Sequence, residues 1–404
     1  MRNKNVSFIS IILTGLLVAG YTIGAGVLGL PVVTGIAGFI PASIAMVVVW
    51  VTLYSSAWFM AKQFIFNKND DCDYITVFNY ELGSFGKWLA IVGFLIIYYG
   101  ALTAYLAGAV NIIVGIFDLH IPTYFLVIAC FCAYTFIILY GINAVQKGNL
   151  LFMLTLIISF IYLVYTIAPS IEVKNYLYVD WGFLPCIFSV LIFSSIPFLI
   201  VPSVCRKLKY SPKPILISLI IGGVLSFLIS YIWTAATIGA LPLTGNGQTN
   251  MLYAYRHNLS AVIPMAKIGG SKSIFVASAI FSVLAISTSY LGTGIAAIGF
   301  IKDLTYTKLK IKSKFLIFSM AFAPPLIITL IDPNIFLSML NLVGGAGFCL
   351  VGGVIPAIIY IKHTRKNPIK QLIGYILFLF FLSIVIFEVV HRLGLIHLAP
   401  HITK

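Results

Sequence analysis

The sequence predicts an all-α integral membrane protein, and two observations support that prediction. The first is composition, because 61% of the 404 residues are hydrophobic, only 9% are charged, and the mean hydropathy is +1.08. These values are too apolar for soluble domains of this length. The second is that the apolar residues form long runs, without the alternation of a membrane β-barrel. Because lipid offers no hydrogen bonds, such runs cross a bilayer as helices.

Eleven apolar stretches of about 20 residues predict eleven membrane spans, numbered here in chain order. They lie near residues 7–35, 39–64, 86–117, 122–141, 148–168, 183–204, 214–241, 272–301, 314–331, 335–361 and 371–392. The first run continues past the length of a signal peptide and lacks a small-residue cleavage site, so we interpret it as span 1. Residues 1–404 are expected to form one membrane domain, without a separate soluble domain.

The loops between these spans carry unequal numbers of basic residues. If the N-terminus is inside, 19 of the 25 Lys and Arg residues fall on the cytoplasmic side and 6 on the other side. Cytoplasmic loops hold the excess of basic residues, which predicts a cytoplasmic N-terminus and an external C-terminus. The net charge of +15 then reflects topology and attraction to anionic lipid, so a nucleic acid is not an expected partner.

Two spans, five apart, contain residues that interrupt helices. Span 1 has five glycines between Thr14 and Pro31, and span 6 has Pro197 and Pro202. Glycine weakens a helix by about 1 kcal/mol relative to alanine, and proline removes a backbone donor. Interrupted spans at equivalent positions predict a transporter built from inverted repeats, with its site at the breaks. The repeats would cover 7–168 and 183–361, and 371–392 would be an extra helix. Close helix packing is the alternative use of the glycines.

An opened turn exposes main-chain groups that could hold a zwitterion. Amide groups near Gly24 to Gly26 suit a carboxylate, and freed carbonyls there and in span 6 suit an ammonium. Tyrosine and phenylalanine rings would surround an apolar side chain, although ordinary packing is an equal alternative for any one of them. The predicted substrate-binding set is Tyr21, Thr22, Ile23, Gly24, Ala25, Gly26, Tyr98, Tyr99, Phe193, Ser194, Ser195 and Ile196.

Several segments resemble the hydroxy and aromatic amino acid permeases, a tryptophan/tyrosine permease-like family of the amino acid–polyamine–organocation superfamily. The segment that runs from Thr22 to Pro31 resembles the first-span signature of that family. Further similar segments are Tyr231-Ile232-Trp233, Gly239-Ala240-Leu241-Pro242, Ala285 to Gly292, Phe300 to Leu304, Pro324-Pro325-Leu326, Asp332 to Phe336 and Gly344-Gly345-Ala346-Gly347.

This resemblance implies a leucine-transporter-like fold with two inverted five-helix repeats and broken helices 1 and 6. It also implies import of tryptophan, tyrosine or a related amino acid by alternating access, in a bacterial plasma (inner) membrane and as a monomer. Span 6 departs from the pattern. Where the family has a Gly-Phe-His-Gly element, this chain has Ile196-Pro197-Phe198-Leu199, so the substrate and the coupling ion, H⁺ or Na⁺, both stay open.

A sodium site is one expectation from the same resemblance. Thr288, Ser289 and Ala285, with the carbonyls of Gly20 and Ile23, match the ion-binding layout of sodium-coupled members of this fold. Carbonyl and hydroxyl oxygens are suitable ligands for a hard cation. The alternative is that the hydroxyls bond back to their own helix, and proton-coupled relatives share the pattern. No cofactor is expected beyond the coupling ion.

Ionisable residues give little support to other functions. The ten acidic residues, including Asp70, Asp71 and Asp118, fall in loops or near span ends, and the spacing of Glu388 and Arg392 predicts a local ion pair. The histidines also lie in loops or at span ends, and the six cysteines are scattered. An enzyme or a metal site is therefore not expected. The remaining alternatives are an amino-acid sensor without turnover and a sodium-coupled carrier of a different small amino acid.

Overall fold

The computed structural model describes residues 6–68, 73–117, 121–245, 247–308 and 313–396, and all regular structure within these residues is helical. Eight of the described helices are long and apolar enough to cross a membrane. A ninth candidate is the bent pair Phe8–Thr22 and Gly26–Ala37. The prediction of an all-α membrane protein is therefore confirmed.

Most predicted spans coincide with helices. Span 1 is the bent pair, span 2 is Phe39–Asn67, span 3 is Tyr74–Phe117, and spans 4 and 5 lie within Thr123–Ile167. Span 6 comprises Leu184–Ser195 and Val201–Lys207, span 7 is Pro212–Ala240, and span 8 is Lys272–Lys308. Span 9 is Lys314–Ile331, span 10 runs from Phe336–Leu342 to Ile355–His363, and span 11 is Pro368–Arg392. Two short helices, Met251–Arg256 and Val262–Ala266, separate spans 7 and 8.

Span 3 begins earlier than predicted. Its helix starts at Tyr74 rather than near residue 86, and the chain changes direction at Gly83, where φ is +65°. Glycine adopts this left-handed conformation at little cost. The polar residues around the kink made the segment resemble a loop in the sequence.

Spans 4 and 5 lie in one helical segment, Thr123–Ile167, and both halves of this segment contact span 8. Tyr134 stacks on Tyr290 with ring centroids 4.7 Å apart, whereas Phe160 packs against Phe281 at 5.7 Å. A straight helix would place Phe160 about 39 Å beyond Tyr134, while Phe281 precedes Tyr290 by about 14 Å. The segment therefore bends between Tyr134 and Phe160.

Span 10 lies close to span 6 and departs from α-helical geometry. Its middle contains two π-helical segments, Val343–Phe348 and Leu350–Val354, and such turns occur frequently at functional sites. A Cβ atom at Gly344 would lie only 1.8 Å from the carbonyl oxygen of Ser189. Glycine is thus required there because the two backbones touch.

Charged groups hold both ends of span 10. At one end, Lys362 and His363 each contact the carboxylate of Glu81 at 2.9 Å. At the other end, the guanidinium of Arg392 donates to the carbonyl of Ser338. Span 10 is therefore tied to span 3 at one end and to span 11 at the other, with its irregular turns between them.

Candidate functional site

Span 1 is interrupted at the predicted glycine-rich turn. The first helix ends at Thr22, Ile23 is extended with φ −82° and ψ 98°, and the second helix begins at Gly26. The two helices are bent by 62° relative to each other. Helix ends leave their last carbonyls and first N–H groups without partners inside the helix. The turn therefore presents both kinds of main-chain group at one place.

Span 6 is interrupted at Ile196, which is extended with φ −86° and ψ 117° and precedes Pro197. The hydroxyl of Ser194 donates to the carbonyl of Val190 at 2.6 Å, within its own helix. Ser195, in contrast, is partly exposed. Of the two serines predicted to accept an ammonium, Ser195 is the better placed.

The two interruptions meet at Gly26. A Cβ atom at this position would lie 2.6 Å from Cδ1 of Phe193 and 3.1 Å from Cα of Ser194, so any larger residue would force the ring of Phe193 or the turn of span 1 to shift. The ring of Phe193 is also in contact with Tyr105 and Phe348, at centroid distances of 6.2 and 6.0 Å. The structure thus brings together residues that were predicted from distant parts of the sequence.

Span 8 lies against the same turn. The backbone N–H of Ala25 donates to Oγ of Ser289 at 2.9 Å, and a Cβ atom at Gly24 would lie 2.8 Å from that oxygen. The hydroxyl of Thr288 donates to the carbonyl of Leu284 at 2.8 Å. Ser289 therefore reaches span 1 directly, whereas Thr288 makes the bond to its own helix that was the alternative to ion binding.

The other predicted cation ligands are main-chain carbonyls. Gly20 and Ile23 lie at the end of the first helix of span 1 and are partly exposed, where carbonyls lack partners further along the helix. The carbonyl of Ala285 accepts a longer hydrogen bond, 3.3 Å, from Thr288. Carbonyl oxygens of this kind suit a hard cation such as sodium.

Tyrosine side chains surround the space next to the turn. Tyr21 is 46% exposed but lies near Tyr98 and Tyr105 of span 3, so its exposed surface faces the interior of the bundle. Tyr105 also lies beside the side chains of Ser289 and Thr293. The sequence analysis missed Tyr105, although it lies seven residues after Tyr98 and therefore on the same helix face.

Two predicted side chains have other partners. The hydroxyl of Tyr99 donates to the carbonyl of Met320 in span 9 at 2.8 Å. Adjacent residues in a helix point about 100° apart, so Tyr98 and Tyr99 do not line the same space. The hydroxyl of Thr22 donates to the carbonyl of Val18 at 2.9 Å. Only the main chain of Thr22 is therefore left to bind a substrate.

One face of span 8 continues the open space away from the turn. Gly292, Ala296 and Gly299 are exposed, and no atom of the described residues lies within 4 Å of a Cβ placed on either glycine. At 100° per residue these positions share the helix face of Ser289. The exposed aliphatic residues Val276, Ile280 and Val283 lie on the opposite face. The small residues therefore border open space along one face of span 8, from Ser289 toward Lys302.

The second half of span 1 closes the opposite path. All twelve residues of Gly26–Ala37 are buried. The indole N–H of Trp233 donates to the carbonyl of Val27, and the backbone N–H of Ala261 donates to that of Leu28, both at 2.9 Å. The second half of span 1 is thus covered by span 7 and the segment between spans 7 and 8, whereas one face of span 8 borders open space.

Among the residues that the structure describes, no group of three or more His, Cys, Asp or Glu side chains could hold a metal ion. The predicted Glu388–Arg392 ion pair is present, with 2.7 Å between Oε1 and Nε. Asp70, Asp71 and Asp118 lie outside the described residues.

Comparisons with known proteins give relatives that align with most of this chain. The model of the tryptophan/tyrosine permease family matches residues 8–393. The chain is 24% identical to tyrosine-specific transport system 1 of Haemophilus influenzae, covering 87% of this chain and 88% of the relative. It is 25% identical to tyrosine-specific transport system 2 of that organism, covering 90% of each. Glutamine transporter 2 of Aliivibrio fischeri is 26% identical, covering 84% of each.

Proposed function

The chain belongs to the tryptophan/tyrosine permease family, a family of transport proteins rather than of enzymes, and from this premise we propose that it is an ion-coupled symporter. It imports an amino acid, aromatic or otherwise large and hydrophobic, by alternating access across the bacterial plasma membrane, and it works as a monomer. The observation that carries the proposal is the contact of two interrupted helices at Gly26 and Phe193.

We infer a leucine-transporter-like arrangement of eleven spans for this chain. The described helices supply nine candidates, and the two shorter apolar helices Thr123–Leu139 and Leu154–Ser170 would supply the others, with the bend between Tyr134 and Phe160 separating them. The repeats correspond to residues 7–168 and 183–361, and 371–392 is the additional span. Support comes from the position of the interruptions, which occur in the first span of each five-span unit and pack against each other.

The substrate would lie between the broken ends of spans 1 and 6. Its carboxylate is placed at the N-terminus of the helix that begins at Gly26, where N–H groups and the helix dipole favour negative charge. Its ammonium is placed at the carbonyls that end the helix Phe8–Thr22 and at Ser195 and Ile196. Tyr21, Tyr98, Tyr105 and Phe193 would surround its side chain, and Tyr99 is removed from the set because it faces span 9.

The conformation fits a transporter that is open to the cytoplasm. The buried half of span 1 leads to the side with 6 basic residues, and the open space along span 8 leads to the side with 19. Under the positive-inside rule the second side is the cytoplasm. We therefore propose that its N-terminus is inside, its C-terminus outside and its site facing inward, as in the step that releases substrate.

Uptake into proteoliposomes tests the function. Purified protein would be given radiolabelled tyrosine, tryptophan or glutamine under a proton gradient, a sodium gradient or neither, with empty liposomes as the control. The panel includes glutamine because one relative is named for it. We expect one of the amino acids to accumulate only when one of the two gradients is imposed. Binding of an amino acid without either uptake or counterflow would instead indicate a sensor.

A further inference from the structure

A buried carboxylate connects span 11 to spans 6 and 10. The side chain of Glu388 is only 5% exposed. Its Oε1 accepts from Nε of Arg392 at 2.7 Å, and its Oε2 accepts from the hydroxyl of Ser189 at 3.0 Å. A Cβ atom at Gly345 would lie 3.0 Å from Oε2. One carboxylate therefore meets three spans, two of which belong to the core of the bundle.

This contact reaches the substrate site through one helix. Ser189 lies four residues before Phe193 in Leu184–Ser195, and residues four apart share a helix face. The backbone of both residues packs on Gly344, since a Cβ there would lie 3.0 Å from the nitrogen of Phe193. A displacement of Ser189 would therefore also move Phe193, whose ring contacts Gly26.

A cavity of about 460 Å³ adjoins this carboxylate and lies between span 11, span 10 and the helix Met251–Arg256. Besides Glu388, its charged and titratable lining residues are Arg392 and His391 on span 11, Cys186 on span 6, and Tyr255 and Arg256 on that helix; Cys349 on span 10 also lies near the carboxylate. Glu388 and Arg256 both line this cavity, so protons can reach the carboxylate through it.

We propose that Glu388 is a positioning residue for the transport site and holds the outer side closed. Its ionised form bridges Arg392 and Ser189 and thereby keeps the first half of span 6 against span 10. When Glu388 takes a proton from the outer cavity, the charge that attracts Arg392 is lost and span 6 is free to move outward. The proton returns to the same cavity, so this step gates access and carries no charge across the membrane. The inference rests on the proposed function and orientation.

The test compares Glu388→Gln with Glu81→Gln in proteoliposomes. Glutamine keeps the shape and an oxygen that accepts from Ser189 but cannot be ionised. Glu81 is the matched control because it too is a buried carboxylate bound to cations at an end of span 10. For Glu388→Gln we expect the KM for external substrate to fall by on the order of tenfold, because the outward-open form is favoured. We expect Vmax to fall by a similar factor, because that form closes less readily. External pH should no longer alter its KM, while Glu81→Gln keeps the wild-type pH dependence.

Three results decide the proposal. Restoration of the pH dependence by Glu388→Asp would support it, because aspartate retains the titratable group. A Glu388→Gln protein that loses thermal stability but keeps the wild-type KM, Vmax and pH profile would overturn it and leave only a structural ion pair. Equal effects of both substitutions on the pH profile would overturn it too. If wild-type protein shows neither uptake nor exchange, the proposed function fails instead.

Discussion

The contact between the two broken spans can be tested by adding a single methyl group. In Gly26→Ala, the new Cβ would lie 2.6 Å from Cδ1 of Phe193 and 3.1 Å from Cα of Ser194. Carbon atoms pack best at about 3.5–4.0 Å, so the ring or the turn must shift by about 1 Å. Forcing an extra methyl group into a well-packed site costs about 1–3 kcal/mol, which corresponds to about a 5- to 150-fold loss of substrate affinity if the strain falls on the binding-competent form.

The assay is the initial rate of amino-acid uptake into proteoliposomes over a range of substrate concentrations, with thermal unfolding of the same variants. Gly245→Ala is the control, since no atom of the described residues lies within 4 Å of a Cβ at that position. We expect Gly245→Ala to transport like the wild type and Gly26→Ala to show the loss. The larger Gly26→Leu should abolish uptake while the protein still inserts into the membrane.

A double-mutant cycle identifies the ring as the cause. Gly26→Ala and Phe193→Leu should be non-additive by at least about 1 kcal/mol, because the smaller side chain makes room for the methyl group. The reasoning is refuted if the two losses add, or if Gly26→Ala has a wild-type KM and rate. In either case, the breaks of spans 1 and 6 would not form one site.

Three further predictions concern neighbouring residues. Ser289→Ala removes the acceptor of the Ala25 N–H and should raise KM by about 5- to 150-fold, the equivalent of about 1–3 kcal/mol for an unsatisfied donor; an unchanged KM would exclude Ser289 from the site. Tyr99→Phe should leave KM unchanged and lower the free energy of unfolding by about 1 kcal/mol, as measured by thermal unfolding; a large change in KM would return Tyr99 to the site. Gly299→Cys should react with a charged thiol reagent added on the cytoplasmic side, and bound substrate should protect it. Val283→Cys, on the opposite face of span 8, should not react. Equal labelling of the two variants would contradict an open space along the Ser289 face of span 8.

How much of the site was predictable differs between its backbone and its side chains. Gly24, Gly26 and Pro197 marked the interruptions because their effect on a helix is local and depends on the residue type alone. The choice of Tyr98 over Tyr99, and the part played by Tyr105, depended on the direction in which each helix face points. That direction is set by the packing of span 3 against spans 8 and 9, which is a non-local property.

The membrane class, the approximate positions of the spans and the excess of basic residues on one side followed from the sequence by itself, since hydropathy and charge act on each segment separately. Tertiary structure decided which distant residues meet. It placed Phe193 on Gly26, Ser289 on Ala25 and Glu388 on Ser189, and it buried the second half of span 1. These three contacts join residues up to 264 positions apart. The sequence does not reveal them because they depend on how whole helices pack.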